Sequence, residues 1–221
     1  MEISYIISCH NETTSLNALI SLIEKFRCPL DEIIILDDYS DNPETQRIIK
    51  EHSGSCKVLQ HALDKNYGQH KNFGIENSKG DYIIQFDADE LPTEAIIGEN
   101  LHSIIESNPS IECYGIPRIN NFIGITSEIA KRWNWRLSPY QDKQIVNFPD
   151  YQLRCFKRDY PRIGFTRRLH EKIEGYREYA FLPAEPDYSI LHTKTIETQI
   201  ETNIRYNEWF TEEENRGHIV K

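Results

Sequence analysis

Apolar residues follow two rhythms along this chain. Short, nearly unbroken runs at residues 3–7, 33–36 and 82–84 have the length and β-branched content of strands buried on both faces. Between the first two, Leu16, Leu19, Ile20, Ile23 and Phe26 recur at the three- and four-residue spacing of a helix with one apolar face, entered through polar residues 13–15. A second helix is expected from 43 to about 52, where Asn42 supplies an N-cap, Pro43 a preset first position and Glu44 an early acid. Residues 57–60 read as a third short strand and 69–77 as a helix. Lys79 and Gly80 then turn the chain into a fourth strand over 81–86.

Strand and helix thus alternate from residue 3 to residue 86. Such alternation predicts right-handed crossovers and an α/β fold with a mainly parallel sheet covered by helices. In sheets of this kind ligands lie at the carboxyl ends of the strands. Three polar clusters fall at those ends, at residues 8–12, 37–40 and 87–90. Farther on, 93–107 reads as a helix, and 112–120, 151–157 and 188–192 as strands. The stretch 122–150, rich in tryptophan, arginine and proline, carries no clear period. Ile196, Ile200 and Ile204 predict an amphipathic helix over 195–213. With no internal repeat or linker, the expectation is a single domain, 1–221.

At 221 residues, 38% hydrophobic and 27% charged, the chain has the balance of a globular protein with one sizeable core. No apolar run approaches the roughly 20 residues of a membrane helix. The acidic, strand-like beginning is unlike a secretory signal, so a cytoplasmic location is expected. A net charge of −10 argues against nucleic acid as a partner. The five cysteines are scattered, with neither a CxxC pair nor zinc-like spacing, and read as small thiols in a reducing compartment.

The third polar cluster carries the sharpest chemistry. Asp87 and Asp89 flank the small Ala88 just where an apolar strand ends, and Glu90 follows. Two carboxylates so placed suit Mg²⁺ or Mn²⁺, with diphosphate oxygens completing the shell. Such triplets are common, however, and spacing alone is also satisfied by exposed acids capping the next helix.

The order of the surrounding segments narrows the choice. YIISCHNE, then IIILDDYSD, then NYGQHKNFGIENSKGDYIIQFDADE, resembles the nucleotide-sugar-binding half of family 2 glycosyltransferases of the GT-A fold. The likeness covers residues 3–92, leaving 93–221 as the acceptor-binding half with its smaller region and terminal helix. It departs from the family at Ser8-Cys9-His10, where a Pro-Thr-Tyr-like run is usual, and at His70-Lys71-Asn72, where Ala-Arg-Asn is usual. The resemblance implies that Ser8, Cys9, Glu12, Asp38, Asn66, Gly68, Lys71, Asp87 and Ala88 face the donor, and that Asp87 and Asp89 hold the cation. Asp38 would accept the imino N–H of uracil, thymine or guanine, which points to a UDP-, dTDP- or GDP-sugar. Gly68 would admit close backbone approach. Lys71 reads equally as a helix-surface charge.

The family's inverting, single-displacement chemistry needs a general base for the acceptor hydroxyl. RRLHEKIEG is similar to a His-Glu pair near the acceptor site of some family 2 enzymes. Glu171 is the favoured base, with His170 orienting it or acting itself and Asp142 and Asp150 as alternatives. His192 is the implied third cation ligand, although a core histidine would look the same. Eleven Lys/Arg against four Asp/Glu over residues 131–172 suggest a local anion-binding patch for phosphates, an anionic acceptor or a lipid carrier. Trp133 and Trp135 offer either a sugar platform or packing beneath a loop. The implied acceptor is a hydroxyl of a glycan, lipid carrier or protein. Two other functions compete: a haloacid-dehalogenase-like phosphotransferase using the paired acids, and a non-catalytic sugar-binding module.

Overall fold

The computed structural model describes residues 1–215. Its elements run β1 (Ile3–Cys9), α1 (Thr14–Phe26), β2 (Glu32–Asp37), α2 (Pro43–His52), β3 (Lys57–Gln60), α3 (Tyr67–Glu76), β4 (Tyr82–Asp87), β5 (Glu90–Pro92), α4 (Gly98–Glu106) and β6 (Cys113–Ile123). They continue with α5 (Ser127–Arg132), β7 (Leu137–Tyr140), β8 (Lys143–Lys157), β9 (Gly164–Thr166), β10 (Lys172–Glu174), β11 (Tyr179–Phe181), β12 (Ile190–Thr195) and α6 (Ile196–Trp209).

One sheet spans both halves, in the order β3-β2-β1-β4-β8-β6-β12-β5, with β7 added to β8 and β11 to β6. Strands β1 to β4 are mutually parallel wherever they pair, while β8 runs antiparallel to β4 and β6. Strands β9 and β10 form a separate hairpin. Both faces of the parallel part are apolar, which is why its strands read as unbroken runs. Ile3, Tyr5, Ile7, Ile33, Ile35, Ile84 and Phe86 pack toward α1 and α4. Ile6, Ile34, Leu36, Ile83 and Phe156 face Ile75 of α3 and the β9–β10 hairpin.

Local signals are obeyed where they are strongest. The Asn42 side chain accepts from the N–H groups of Glu44 and Thr45, and Pro43 opens α2. Elsewhere packing overrules the pattern. The helix expected over 93–107 is split into a 3-10 turn, Glu94–Ile96, and α4. Gly98 causes the break: its φ is +56°, and a Cβ there would lie 1.8 Å from the Phe26 carbonyl oxygen. The unparsed stretch 122–150 contains α5, β7 and the first half of β8, whose 15 residues far exceed the strand expected at 151–157. In α6 the isoleucine stripe is not the packed face. Ile196 is buried, but Ile200 and Ile204 are 40% and 53% exposed. Thr202 is the other residue α6 buries, and the Tyr206 ring meets Tyr67 and His170.

Candidate active site

The parallel strands bring the polar clusters to one edge. Ser8 lies opposite Asp87 in the β1–β4 ladder, and Cys9 opposite Asp37 in the β1–β2 ladder. Buried Asp37 is structural, since its carboxylate accepts from the Ser40 N–H and the Gln60 amide. Asp38 is half-buried. Its Oδ1 accepts from the Leu63 N–H at 2.8 Å, and its Oδ2 lies 3.6 Å from His10 Nδ1. Glu12 accepts from the His10 N–H at 2.6 Å. Burial pushes its carboxyl upward, against the lowering effect of backbone hydrogen bonds. Asn11, in left-handed conformation at φ +69°, joins this loop to the next by accepting from the Asp41 and Asn42 N–H groups.

From Asp87 a continuous chain of polar contacts runs in both directions. Lys71 Nζ lies 3.0 Å from Asp87 Oδ1 and 2.6 Å from Glu171 Oε1. Arg154 Nη2 binds Asp87 Oδ2 and Glu90 Oε1, each at 2.7 Å. Arg118 links Glu90, at 3.1 Å, to Asp150 Oδ2, at 2.8 Å. Asn120 donates to the same Asp150 oxygen at 2.8 Å, and its own oxygen faces His192 Nδ1 at 3.0 Å. His192 Nε2 ends 3.3 Å from Asp89 Oδ2. Glu171 and Asp89 are therefore the termini of one network whose members come from α3, β4, the β4–β5 turn, β5, β6, β8, β12 and the β9–β10 loop.

Electrostatics follow from these pairings. Burial alone would raise Asp87, but Arg154 and Lys71 hold it far below the ordinary carboxylate range. Asp89 is likewise lowered despite burial, by His192, and Asp150 by Arg118 and Asn120. Burial opposes the charge on Lys71, yet Asp87 and Glu171 raise its pKa.

Several sequence expectations change on this geometry. Lys71 is not a surface charge: it is 2% exposed and sits between two carboxylates. Both oxygens of Asp87 are held by cationic side chains, Lys71 and Arg154, whereas Asp89 and His192 face each other at 3.3 Å. Gly68 does permit a close approach, but by protein: a Cβ there would lie 2.4 Å from the Arg167 carbonyl oxygen. Asn66 caps α3 by accepting from the Gln69 N–H. Cys9 and Ala88 turn their side chains into the core, so only their backbones reach this edge. Ser8 Oγ accepts from the Gln85 amide.

Farther out, His170 sits at φ +50° with its Nε2 3.1 Å from Asn215 Oδ1. Asp142 stands in the exposed turn between β7 and β8 and, among the described residues, makes no hydrogen bond or ion pair with the network. Part of the basic surplus over 131–172 is matched by acids, Arg154 by Asp87 and Glu90, Arg162 by Glu112 and Asp159, and Arg168 by Glu214. Trp133 and Trp135 pack edge to face at 4.7 Å, and Trp135 stacks on Phe122.

Sequence reading left Glu90, Arg118, Asn120 and Arg154 unassigned. For the three charged ones the signal was charge placed within strands: Arg154 and Glu90 are 5% and 1% exposed, positions that demand partners. Beside Asp89 opens a cleft of about 410 Å³, lined by Glu12, Lys194, Thr198, Thr202 and Arg205 among others.

A mainly parallel sheet with an acidic turn after its fourth strand, extended by antiparallel strands from the second half, is the GT-A glycosyltransferase architecture. The sequence profile described as Glycosyl transferase family 2 matches residues 4–163, and the chain belongs to that family. Over 102 residues it is 35% identical to an undecaprenyl-phosphate 4-deoxy-4-formamido-L-arabinose transferase of Aeromonas hydrophila, covering 42% of this chain and 31% of that protein. Over 124 residues it is 32% identical to the poly(ribitol-phosphate) beta-N-acetylglucosaminyltransferase TarP of Staphylococcus aureus, covering 52% of this chain and 37% of TarP. The chain thus spans about a third of the length of these relatives. In structure it resembles S. aureus TarS 1–349, with a TM-score of 0.57 at 14% identity over 87% of this chain and 60% of that one. No described helix is long and apolar enough to cross a membrane.

Proposed function

We propose that this chain is a divalent-cation-dependent, inverting glycosyltransferase that moves a sugar from a nucleoside diphosphate to a hydroxyl acceptor. The observation carrying this reading is the pairing of Asp89 with His192 beside the cleft. Asn120 gives its N–H₂ to Asp150, so its oxygen must face His192, whose Nδ1 then carries the proton. His192 Nε2 stands 3.3 Å from Asp89 Oδ2, a contact in which one divalent ion can take the place of a shared proton. Asp89 and His192 fit as protein ligands for Mn²⁺ or Mg²⁺. When bound, such an ion supplies positive charge against the diphosphate that leaves.

The remaining roles belong to the chain's own side chains. Asp38 keeps Oδ2 for the imino N–H of uracil, thymine or guanine while Leu63 holds Oδ1. Relatives support the donor class: TarS has been crystallised with UDP-GlcNAc, and TarP is named as an N-acetylglucosaminyltransferase. Glu171 is the proposed base. Lys71 fixes its Oε1, leaving Oε2 to take the acceptor proton as the hydroxyl oxygen bonds the anomeric carbon and the bond to the leaving phosphate breaks. Asp150 is a poorer choice because Arg118, Asn120 and Gln152 occupy both its oxygens. Acceptors of the relatives named above contain phosphate, undecaprenyl-phosphate in one and poly(ribitol-phosphate) in the other. A glycan, lipid-linked or protein hydroxyl acceptor is proposed here.

The test is a thermal-shift screen of UDP-, dTDP-, GDP- and CDP-sugars with Mn²⁺. Stabilisation by at least one of the first three, lost in Asp38→Asn, is expected. Stabilisation by the CDP-sugar alone contradicts the assignment of Asp38.

A further inference from the structure

At the opposite, amino-terminal edge of the sheet, Cys28, Asp31 and His102 converge. Their donor atoms, one thiol sulfur, one carboxylate oxygen and one imidazole nitrogen, all lie within 4.8 Å of one another. The three come from two places: the turn between α1 and β2, and the middle of α4. His102 Nε2 is 2.9 Å from Asp31 Oδ1 and 3.1 Å from Oδ2. Tetrahedral zinc, with bonds to nitrogen and oxygen of about 2.0–2.2 Å, sets those atoms about 3.3 Å apart. The imidazole–carboxylate spacing is therefore only a few tenths of an ångström too tight, while the thiol sulfur lies within 4.8 Å of both.

We propose that these three side chains form a three-ligand zinc site with one open position, separate from the active site, that ties α4 to the α1–β2 turn. Thiolate, imidazole and carboxylate together suit Zn²⁺ better than the hard cations expected at Asp89. A supporting outer shell is already in place. The Ile3 N–H donates to Asp31 Oδ1 at 2.9 Å and the Cys28 N–H to Oδ2 at 3.0 Å, fixing the carboxylate while leaving a lone pair on each oxygen. Arg27 binds the Asp31 backbone carbonyl and so braces the turn without occupying the carboxylate. Gly98 locks the start of α4 against the end of α1, which holds His102 at a fixed distance. On binding, Cys28 releases its thiol proton to solvent, and His102 presents the Nε2 lone pair as its proton moves to Nδ1. Glu99 and Glu106 add negative potential that favours a cation there. Water fills the fourth position.

The experiment uses the Asp89→Ala chain, so that the active-site cation cannot contribute, stripped with chelator and titrated with Zn²⁺ or Co²⁺ alone. One equivalent of Zn²⁺, a rise of several degrees in melting temperature and a thiolate-to-cobalt charge-transfer band are expected, all lost on adding Cys28→Ser or His102→Gln. Cys28 is the one cysteine that is not buried. Its alkylation, read by mass spectrometry, therefore gives a measure needing no further variant, and Zn²⁺ is expected to slow it by about tenfold or more. Equal Zn²⁺ uptake after Cys28→Ser, or unprotected alkylation with Zn²⁺ bound, overturns the proposal.

Discussion

Replacing Lys71 by methionine removes the cation that joins Asp87 to Glu171 while keeping the bulk of the side chain. Lys71 is 3% exposed as a side chain, Glu171 17% and Asp87 36%. Removing one partner of a buried ion pair costs about 3–5 kcal/mol, because an uncompensated charge is left behind. Asp87 keeps Arg154 and some solvent, so the loss should fall at or below the bottom of that range, about 2–3 kcal/mol. With a urea slope of about 2–3 kcal/mol/M, the unfolding midpoint should fall by about 1 M at pH 7.

The pH dependence carries a sign. The folded-state pKa of Asp87 is depressed, so its share of the stability is present above the ordinary value of about 3.9 and disappears as acid protonates the folded carboxylate. Lys71 is raised, so its share is complete below its ordinary value of about 10.4 and fades at higher pH. The gap between wild type and Lys71→Met should thus be widest between about pH 5 and 9 and close on strong acidification. Adding Glu171→Gln to Lys71→Met should restore part of the loss, since it removes one stranded charge. Equal midpoints at pH 7, or a gap that widens in acid, would refute the buried-pair account.

Gly68→Ala sets helix propensity, which favours alanine by about 1 kcal/mol, against a 2.4 Å approach to the Arg167 carbonyl. A net destabilisation of about 1–3 kcal/mol is expected, with lower turnover as the loop bearing Glu171 shifts. A thermal melt no lower than wild type would show that the loop yields freely. Glu171→Gln should lower kcat by about 10²–10⁴-fold and leave donor affinity within about twofold. Wild-type turnover would remove Glu171 from the mechanism. Glu90→Gln should disturb Arg118 and Arg154 together, lowering both stability and kcat; a change in neither, by urea titration and initial rates, would leave Glu90 without a positioning role.

The first 87 residues were readable because local and global demands agree there. Strands β1, β2 and β4 are covered on both faces, so their runs are unbroken, and Asn42 and Pro43 mark a helix start by chemistry that depends on no distant contact. The second half depends on such contacts. Strand β8 pairs with β4, β6 and β7 and carries Arg154 inward to Asp87 and Glu90, a position that looks like an error until the partners are seen. The stripe of Ile200 and Ile204 misled because α6 meets the body of the protein through Thr202 and Tyr206 instead. Asp87, Asp89, Glu171 and His192 could be picked out as chemical candidates. That Lys71, 16 positions away, and Arg154, 67 positions away, would both claim Asp87 could not, since the pairing depends on tertiary packing.

Titration calorimetry of a UDP-sugar with and without Mn²⁺, in wild type and Asp89→Ala, bears on the central claim most directly. Mn²⁺-dependent binding should appear in wild type and weaken by about 100-fold or more in the variant, with the far-UV spectrum unchanged. Equal donor affinity in the two proteins, or wild-type binding indifferent to Mn²⁺, would contradict it.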